Sequence, residues 1–577
     1  MLASPSRVPP SRSPDMMSAR IMRYARSAAR SLLDVTRRDG TGPNGQHHPL
    51  GLRIPENHRT LCTVRGTRST RLFPEGYARL GLLAADSGPE GSFRPLTPRA
   101  RVAYSLRRPR RVGGPPLDDR RSGVQLPDDR APLGGPQGWD TAHARYQDVD
   151  DRVRAVITWV DSSRADAEAA AQRRAAGASL GPLDGVLVAL KDNIDVAGVR
   201  TTAGASFLSD NVATGDATVV RRLRAAGAVV NAKLNMAELA WGATTQNLTY
   251  GACRNPWDLD RIPGGSSGGS GAAIAAGYCD LALGTDTGAS VRIPAALNGV
   301  VGLRPSVGAI SIDGVLPAAK TQDTVGPMAR YAVDAARLTE ALIGFDPADP
   351  YSVASTGAPA TSAIGKPLDG LTVGVARTFF FDDLDDGVGE RIETFLGWLS
   401  DQGTTTADVP DFGATGAHEH WTRIVGSEGA SFHQERLLAH PDHFSPDVFG
   451  RVSAGLDIPA VDLVRSLAFR AEYRTRLARV FADLDVIVTP VVPVDVPMAG
   501  GPDSRAQTLQ LGRITYPWAL HDGPTLSLPI GFHPRSGLPV GVAITAPRFG
   551  EAVLFQIACA YQDVTDWHTA RAAVPTR

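Results

Sequence analysis

The chain of 577 residues is long enough for one large domain or several smaller ones, with a sizeable buried core. Its 60 basic and 60 acidic residues cancel, so the total charge gives no bias towards nucleic acid or an anionic membrane. No apolar run approaches the roughly 20 residues that span a bilayer, and the arginine-containing N-terminus lacks the apolar core of a secretory signal. We therefore expect a cytoplasmic protein that binds neither nucleic acid nor membrane.

Cysteine and lysine are both scarce in this sequence. The four cysteines lie far apart, without the spacing of a metal site or a disulfide framework. Positive charge is carried almost entirely by arginine, which stays protonated in proteins, whereas lysine can become neutral. The few lysines are therefore informative, and they are Lys191, Lys233, Lys320 and Lys366.

Residues 1–135 differ in composition from the rest of the chain. They contain no lysine, many arginines and prolines, and stretches such as RRPRRVGGPPLDDRRSG that show no sustained period of 2 or 3.6 residues. Such a segment cannot bury enough apolar surface to offset its ordering entropy. The composition predicts a mostly disordered segment. A basic partner-binding arm is one alternative, and sequence upstream of a true start near Met16 or later is another.

From about residue 145 the sequence alternates between helical and strand patterns. The alanine-rich segment 152–178 predicts a helix that ends at a glycine. GVLVALKDN predicts a short apolar strand that runs into polar residues, DATVVRRLRAAGA an amphipathic helix, and VVNAKLNM another strand.

The same alternation continues to the end of the chain. It passes through DLALGTDT, YAVDAARLTEALIGF, GLTVGVAR, LVRSLAFRAEYRTRLARVFADL, DVIVTPVVP, TLSLPIGF, GLPVGVAITAP and EAVLFQIACAYQ. This pattern predicts an α/β fold, with a mixed, largely buried sheet covered by helices. Because no internal repeat or second break in composition occurs, we predict a single large α/β/α domain over residues 140–565.

The most conspicuous motif is RIPGGSSGGSGAAIAAG, residues 261–277. A phosphate-binding loop needs Lys-Ser/Thr after its glycines, and alanines stand there instead. A flexible linker belongs between domains, whereas this motif lies within dense α/β sequence and leads into a helix of small residues. Residues 265–269 match the G-x-S-x-G hydrolase elbow. That interpretation is weakened, but not excluded, because no apolar strand precedes the motif and no histidine occurs between His143 and His418.

A fourth interpretation comes from the order of several motifs. Lys191 ends the strand in GVLVALKDNIDVAGVRTTAG, and Ser266 follows about 75 residues later. Ser290 lies 24 residues beyond Ser266, in LALGTDTGASVRIPAALNGVVGLRP. With NMAELAWGATTQN, RNPWDLDRIPGGSSGGSGAA, TQDTVGPMAR and GLPVGVAITAP followed by EAVLFQIACA, the chain from about 145 to 563 resembles the amidase signature family. These are serine hydrolases with a Ser–cis-Ser–Lys triad.

The resemblance implies a role for each of three residues. Ser290 matches the nucleophile that becomes acylated, Ser266 the bridging serine on a cis peptide, and Lys191 the base. A serine hydroxyl is a weak nucleophile until a nearby group removes its proton. Lysine can do so only when neutral, so its pKa must fall from 10.4 towards the operating pH, at a cost of about 3–4 kcal/mol. Burial at the end of an apolar strand lowers the pKa in this direction.

The scarcity of lysine supports the role of Lys191 independently of the family. Relatives usually have lysine in the motif after the nucleophile, where this chain has Arg304 in GLRP. At position 191, however, the chain retains lysine. Arginine would have preserved the charge there, but it could not have accepted a proton.

The segment before the nucleophile matches the run of backbone N–H groups that forms the family's oxyanion hole: Thr287, Gly288, Ala289 and Ser290. Losing one such donor typically costs about 3–4 kcal/mol of transition-state stabilisation. Relatives usually have Gly-Gly-Ser where this chain has Gly-Ala-Ser. If residue 289 needed a positive φ, alanine would be strained; if its φ is negative, the methyl group only narrows the pocket. We favour the second alternative.

Several neighbouring residues have supporting roles by the same resemblance. Asp286 is expected to brace the loop, and Arg292 to pair with a buried acid rather than to hold a substrate carboxylate. Four further positions serve as a second hydroxyl donor, strand support, site wall and lining of the acyl pocket, and they are Ser267, Lys233, Asn235 and Ala240.

Three histidines have spacings that metal ligands can adopt. His433, His440 and His443 are seven and three residues apart. A loop rich in proline and aspartate explains them more simply, so we predict no metal site and no other cofactor.

The sequence thus predicts an amidase that hydrolyses the C–N bond of a small-molecule amide. Within the family, the alternative is the glutaminase subunit of a tRNA-dependent amidotransferase, but residues that would hold glutamine are not evident between 400 and 480. A different alternative is an inactive relative that serves as a binding scaffold, which Ala289 keeps open. A homodimer is compatible with the sequence.

Overall fold

The computed structural model describes residues 134–500 and 504–574. Their strands form one sheet of 11 strands, in the order β1-β3-β2-β4-β6-β5-β10-β11-β9-β7-β8. In chain order the strands are β1 (Val156–Trp159), β2 (Leu187–Lys191), β3 (Val229–Leu234), β4 (Leu281–Asp286), β5 (Val301–Arg304), β6 (Thr324–Ala329), β7 (Thr372–Val375), β8 (Thr405–Asp408), β9 (Val486–Pro490), β10 (Thr525–Phe532) and β11 (Pro539–Thr545).

Thirteen α-helices lie within the same described ranges. They are α1 (Gly135–Val153), α2 (Ser163–Ala175), α3 (Thr218–Ala225), α4 (Gly268–Ala276), α5 (Arg292–Asn298), α6 (Ala332–Leu342), α7 (Asp386–Asp401), α8 (Ala417–Ala439), α9 (Pro446–Ser453), α10 (Ala460–Val480), α11 (Ser504–Gly512), α12 (Tyr516–Ala519) and α13 (Glu551–Val564).

The sheet combines parallel and antiparallel pairs. Strand β2 is parallel to both of its neighbours, β3 and β4. Antiparallel pairs then join β4, β6, β5, β10, β11 and β9, and β7 runs parallel to both β9 and β8. The predicted mixed sheet is therefore confirmed.

Both faces of the sheet are buried, as strand β2 illustrates. Val188 and Leu190 join an apolar cluster with helices α3, α6, α7 and α13. Leu187 and Ala189 point to the other face and join a second cluster with α1, α2, α4 and α5. Because successive side chains alternate between faces, a strand covered on both sides is apolar throughout, as this one is. The layers are helix, sheet and helix, as the sequence predicted.

Most of the predicted elements form where the patterns indicated. The strands around Lys191 and Lys233, the amphipathic helix α3 and the small-residue helix α4 are all present. The single helix predicted over 152–178 is wrong. Helix α1 ends at Val153 and Arg154 adopts a φ of 55°, after which VITW becomes β1 and pairs with β3. Only the second half of the segment is helical, as α2.

The prediction of disorder for residues 1–135 falls, apart from its last two residues, outside the described part of the chain. It stays a prediction, as do the boundaries of the domain.

Candidate active site

The candidate site lies at one end of three parallel strands. Strands β3, β2 and β4 run side by side in the same direction, so their carboxyl ends meet at the same edge of the sheet. Lys191 is the last residue of β2, and Thr285 and Asp286 end β4. The edge therefore carries polar side chains that follow directly on buried apolar strands.

Lys191 is fully buried and is held by hydroxyl groups. Its Nζ lies 2.7 Å from Ser266 Oγ, 2.7 Å from Thr285 Oγ1 and 3.3 Å from the Thr285 carbonyl oxygen. Among the described residues it forms no ion pair. Burial lowers the pKa of Lys191 to about 7, although the negative charges of Asp323 and Asp286 act in the opposite direction. Near neutral pH, a substantial fraction of this amine is unprotonated.

Ser266 follows the glycines of the motif over residues 261–277, and the Gly265–Ser266 peptide bond is cis. The backbone packs too tightly here for a side chain at 265, because an added Cβ would lie 2.8 Å from backbone atoms of both Ala243 and Thr244. The carbonyl of Ser266 accepts a hydrogen bond from Ala237 N at 3.0 Å. Close packing of glycine thus brings this serine within reach of Lys191.

Ser267 ties the same segment to the nucleophile loop. Its backbone N–H donates to the Ser290 carbonyl at 3.1 Å, and its Oγ lies 3.2 Å from both the N and the O of Thr285. Since its hydroxyl is engaged with the backbone of β4, Ser267 holds two chain segments together.

Ser290 lies on the half-exposed loop between β4 and α5. Within the described ranges its hydroxyl forms no hydrogen bond, and the backbone N–H groups of Gly288, Ala289 and Ser290 also have no acceptor. The adjoining carbonyls are fixed. Thr287 O accepts from Trp421 Nε1 at 3.1 Å, and Gly288 O accepts from Arg292 at 2.6 Å.

These two carbonyl contacts determine where the loop's N–H groups point. In a trans peptide the C=O and N–H directions are opposite. The N–H groups of Gly288 and Ala289 therefore point away from Trp421 and Arg292, respectively. Such a set of free, fixed donors is suited to binding a developing oxyanion.

Ala289 is not among the described non-glycine residues with positive φ. Its methyl group is buried in an apolar cluster that includes Ile262 and Ile293. The strained alternative that the sequence left open is therefore wrong, and alanine is accommodated at this position.

Asp286 anchors the loop from below through two buried arginines. Arg292 donates to both of its carboxylate oxygens, at 3.0 and 3.1 Å, and Arg304 donates to its backbone carbonyl. Asp286 Oδ2 also accepts from Val291 N at 3.2 Å. These charges and donors hold the pKa of Asp286 below its usual range despite burial. Arg292 is thus engaged with Asp286 and with backbone carbonyls.

Lys233, the other buried lysine, has a carboxylate partner. Its Nζ lies 2.9 Å from Asp192, and both side chains are inaccessible to solvent. Asn235 donates to the carbonyls of Arg154 and Gly251, at 2.8 and 3.0 Å, and so fixes neighbouring backbone.

Ala240 belongs to a short 3-10 turn over Glu238–Ala240, with φ values of 50° at Leu239 and 65° at Ala240. Ala237, just before this turn, is the residue that donates to the carbonyl of Ser266. The turn therefore adjoins the bridging serine.

Four residues at the site were not identified from the sequence: Thr285, Asp323, Trp421 and Tyr516. Thr285 binds Lys191, and Asp323 accepts a hydrogen bond from the Thr287 hydroxyl. The rings of Trp421 and Tyr516 stack at 4.2 Å over Gly288. The only sequence signal was that TQDTVGPMAR contains Asp323; the two aromatic residues stand in segments without a motif.

A cavity of about 400 Å³ borders the turn that precedes β6. Its walls include Ala318, Ala319, Lys320, Glu428 and Phe432. This volume lies within the range of small-molecule sites.

The three histidines do not form one group. His433 is buried on α8, whereas His440, Asp442 and His443 follow the helix and have donor atoms within 4.8 Å of one another. Arg436 lies 3.0 Å from Nδ1 of His443, where it would oppose a cation. The expected loop is thus partly helix, and the absence of a metal stays a prediction.

None of the helices in the described ranges combines the length and the apolar character that a bilayer crossing requires.

Comparison with known families bears on what this geometry does. The family model described as Amidase matches residues 140–555. The chain belongs to the amidase family. Since the matched region contains the whole site, the protein is an amide-hydrolysing enzyme.

Three similar proteins place the enzyme within its family. A glutamyl-tRNA(Gln) amidotransferase subunit of Symbiobacterium thermophilum is 37% identical over 430 residues, which cover 70% of this chain and 88% of the relative. A structure described as a vestigial protein complex that reveals the origins of an s-triazine catabolic enzyme has a TM-score of 0.71 and 34% identity, over 76% of this chain and 96% of its own. The peptide amidase PAM, in complex with chymostatin, has a TM-score of 0.64 and 29% identity, over 77% and 96%.

Proposed function

We propose that this enzyme hydrolyses a carboxylic amide through an acyl-enzyme on Ser290, with Ser266 and Lys191 as proton relay and base. The contact that carries the proposal is the 2.7 Å hydrogen bond between Lys191 Nζ and Ser266 Oγ. It joins a buried amine, whose pKa is lowered to about 7, to a hydroxyl beside the nucleophile loop. A lysine in that state can accept a proton at neutral pH.

The reaction begins when Ser290 Oγ attacks the amide carbonyl carbon. Its proton passes to Ser266 Oγ, whose own proton passes to Lys191; a hydroxyl can donate and accept at the same time. Negative charge develops on the carbonyl oxygen, which the backbone N–H groups of Gly288 and Ala289 stabilise.

The tetrahedral intermediate then collapses and the C–N bond breaks. The leaving nitrogen takes the proton from Lys191 through Ser266 and departs as ammonia or an amine. Water attacks the Ser290 ester with the same two residues as base, and the carboxylic acid is released. The chemistry uses these side chains and water.

The second candidate function is that of a glutaminase subunit that delivers ammonia to a partner. The observation in its favour is the 37% identity to a relative named as a glutamyl-tRNA(Gln) amidotransferase subunit. The peptide amidase likeness favours an independent enzyme instead. Both functions use the same chemistry at Ser290 and differ in substrate and in the need for partners. In either case we propose a cytoplasmic enzyme.

The third alternative, an inactive scaffold, loses its main support. It rested on strain at Ala289, and that residue has no positive φ. A homodimer remains compatible with the proposal but has no observation in its favour.

The proposal can be tested by release of ammonia or amine from a panel of aliphatic, aromatic and amino-acid amides that includes glutamine. We expect turnover by the lone chain, and a loss of at least about 10³-fold in Ser290→Ala. Ser270→Ala is the matched control, because the Ser270 hydroxyl binds only the Leu283 carbonyl in α4 and β4. Turnover that survives in Ser290→Ala would refute the mechanism. Glutamine turnover only after partner subunits are added would support the second candidate.

A further inference from the structure

Asp323 is a buried carboxylate that the proposed mechanism does not use. It immediately precedes β6 and is 5% exposed. One carboxylate oxygen accepts from the Thr287 hydroxyl, and the other accepts from Ala318 N at 2.9 Å and Ala319 N at 3.1 Å. The Asp323 N–H in turn donates to Ala319 O at 2.8 Å. One side chain thus joins the nucleophile loop to the turn that borders the cavity.

We infer that Asp323 is a positioning residue of the reaction, which fixes the oxyanion loop through Thr287 and supplies the uncompensated negative charge that acts on Lys191. The inference rests on the proposed function. It adds to it the group that determines loop geometry and the protonation of the base.

The positioning half follows from the two contacts of Thr287. Asp323 holds its side chain, and Trp421 Nε1 holds its carbonyl oxygen at 3.1 Å. With both ends fixed, the peptide between Thr287 and Gly288 cannot rotate, so the Gly288 N–H keeps its direction. An oxyanion donor contributes most when its direction is set before the reaction.

The electrostatic half follows from a comparison of the two acids that act on Lys191. Asp286, at the end of β4, is neutralised by Arg292 and Arg304. Asp323 forms no ion pair with any described residue, and its other contacts are a hydroxyl and two backbone N–H groups. Its charge therefore acts on Lys191 without a nearby cation to cancel it.

The protonation states agree with this arrangement. Burial raises the pKa of Asp323 to about 6, against the opposing effect of its hydrogen bonds and with a further raising effect from Glu428. The carboxylate is therefore mostly ionised at pH 7. In that form it raises the pKa of Lys191, which burial lowers. Removing the charge must lower the pKa of Lys191 further, and the amine then becomes neutral at a lower pH.

The test is the pH dependence of Ser290 labelling by a fluorophosphonate, measured as a rate constant in the full chain. In the unmodified enzyme the rate rises with pH through the pKa of Lys191. In Asp323→Asn we expect the midpoint to move down by about one pH unit. We also expect the maximal rate to fall by about tenfold or more, since the loop is held less firmly. Asparagine can still accept from the two backbone N–H groups, so the turn is retained.

Asp150→Asn is the matched control. Asp150 is also buried, its pKa is also raised to about 6, and it also accepts from two backbone N–H groups, those of Ala155 and Val156. It is not among the charges that act on Lys191. Its variant should leave the midpoint unchanged. A purely structural carboxylate would behave alike at either position.

A second pair of variants tests the positioning half without changing Asp323. Thr287→Val removes the hydroxyl and should lower the maximal rate about tenfold, whereas Thr287→Ser retains the hydroxyl and should preserve the rate. Equal rates for Thr287→Val and the unmodified enzyme would overturn this half, even if Asp323→Asn did not fold. An unmoved midpoint in folded Asp323→Asn would overturn the electrostatic half. No labelling of Ser290 in the unmodified enzyme would overturn the proposed function itself.

Discussion

The chain contains two fully buried lysines on adjacent strands, and their surroundings differ in one respect. Lys233 lies 2.9 Å from the carboxylate of Asp192. Lys191 contacts two hydroxyl oxygens and one carbonyl oxygen but no carboxylate among the described residues. A buried ammonium needs a counter-charge, whereas a buried neutral amine needs only hydrogen-bond partners. The contrast favours structural support for Lys233 and proton transfer for Lys191.

This difference predicts that arginine cannot replace Lys191. Lys191→Arg should lower the rate of amide hydrolysis or of fluorophosphonate labelling by about 10²–10⁴-fold, since arginine remains protonated. Lys191→Met should be equally slow. The conservative control is Lys366→Arg, at an exposed turn, which should retain full activity. Near-normal activity in folded Lys191→Arg would mean that residue 191 is not the base.

Individual residues were predictable from the sequence to different degrees. Lys191, Ser266 and Ser290 lie in long, ordered motifs, and the bond between Lys191 and Ser266 fits the relay expected of them. Thr285 was missed because a threonine near the end of a strand carries no signal by itself. Its importance depends on the pairing of β2 with β4, which brings it to Lys191 across 94 residues of sequence.

Among the elements, the loop between β4 and α5 depends on the packing around it. Its carbonyls are held by Trp421 on α8 and by Arg292 on α5, while Asp323 at the start of β6 binds its Thr287 hydroxyl. Gly288 lies directly under the stacked rings of Trp421 and Tyr516. The geometry of the oxyanion donors is thus a property of four elements.

A methyl group at residue 288 should disturb this loop. In Gly288→Ala the added Cβ would lie 2.5 Å from Trp421 Cζ2 and 3.0 Å from Tyr516 Cε1, so the ring or the loop must shift. We expect a loss of about 10²-fold in kcat, comparable to the loss of an oxyanion donor. The matched control is Gly450→Ala on α9, where nothing lies within 4 Å of the added atom. Equal kcat values for the two variants would contradict the proposed role of the loop.

Elements with a clear period were predicted well, and those decided by packing were not. The segment 152–178 has the composition of a helix, but its first part forms β1 because VITW pairs with β3 at the edge of the sheet. Helix α8 was missed because its sequence was interpreted only through its histidines. That helix carries Trp421, so missing the element also meant missing the residue.

At the scale of the whole molecule, the site is assembled from distant parts of one sheet and its covering helices. Parallel strands β2 and β4 end at the same edge, and the Gly/Ser motif packs against them through glycines. Relatives described as amidotransferase subunits and as a peptide amidase share this fold. The layered fold holds the chemistry constant, so differences in substrate must come from the cavity and from partners.

The central claim is that Ser290, and not a serine of the conspicuous Gly/Ser motif, is the attacking residue. The most direct measurement is peptide mapping by mass spectrometry after reaction of the full chain with a fluorophosphonate. We predict a single adduct on Ser290, and no labelling in Ser290→Ala. An adduct on Ser266 or Ser267, or labelling that persists in Ser290→Ala, would contradict this claim.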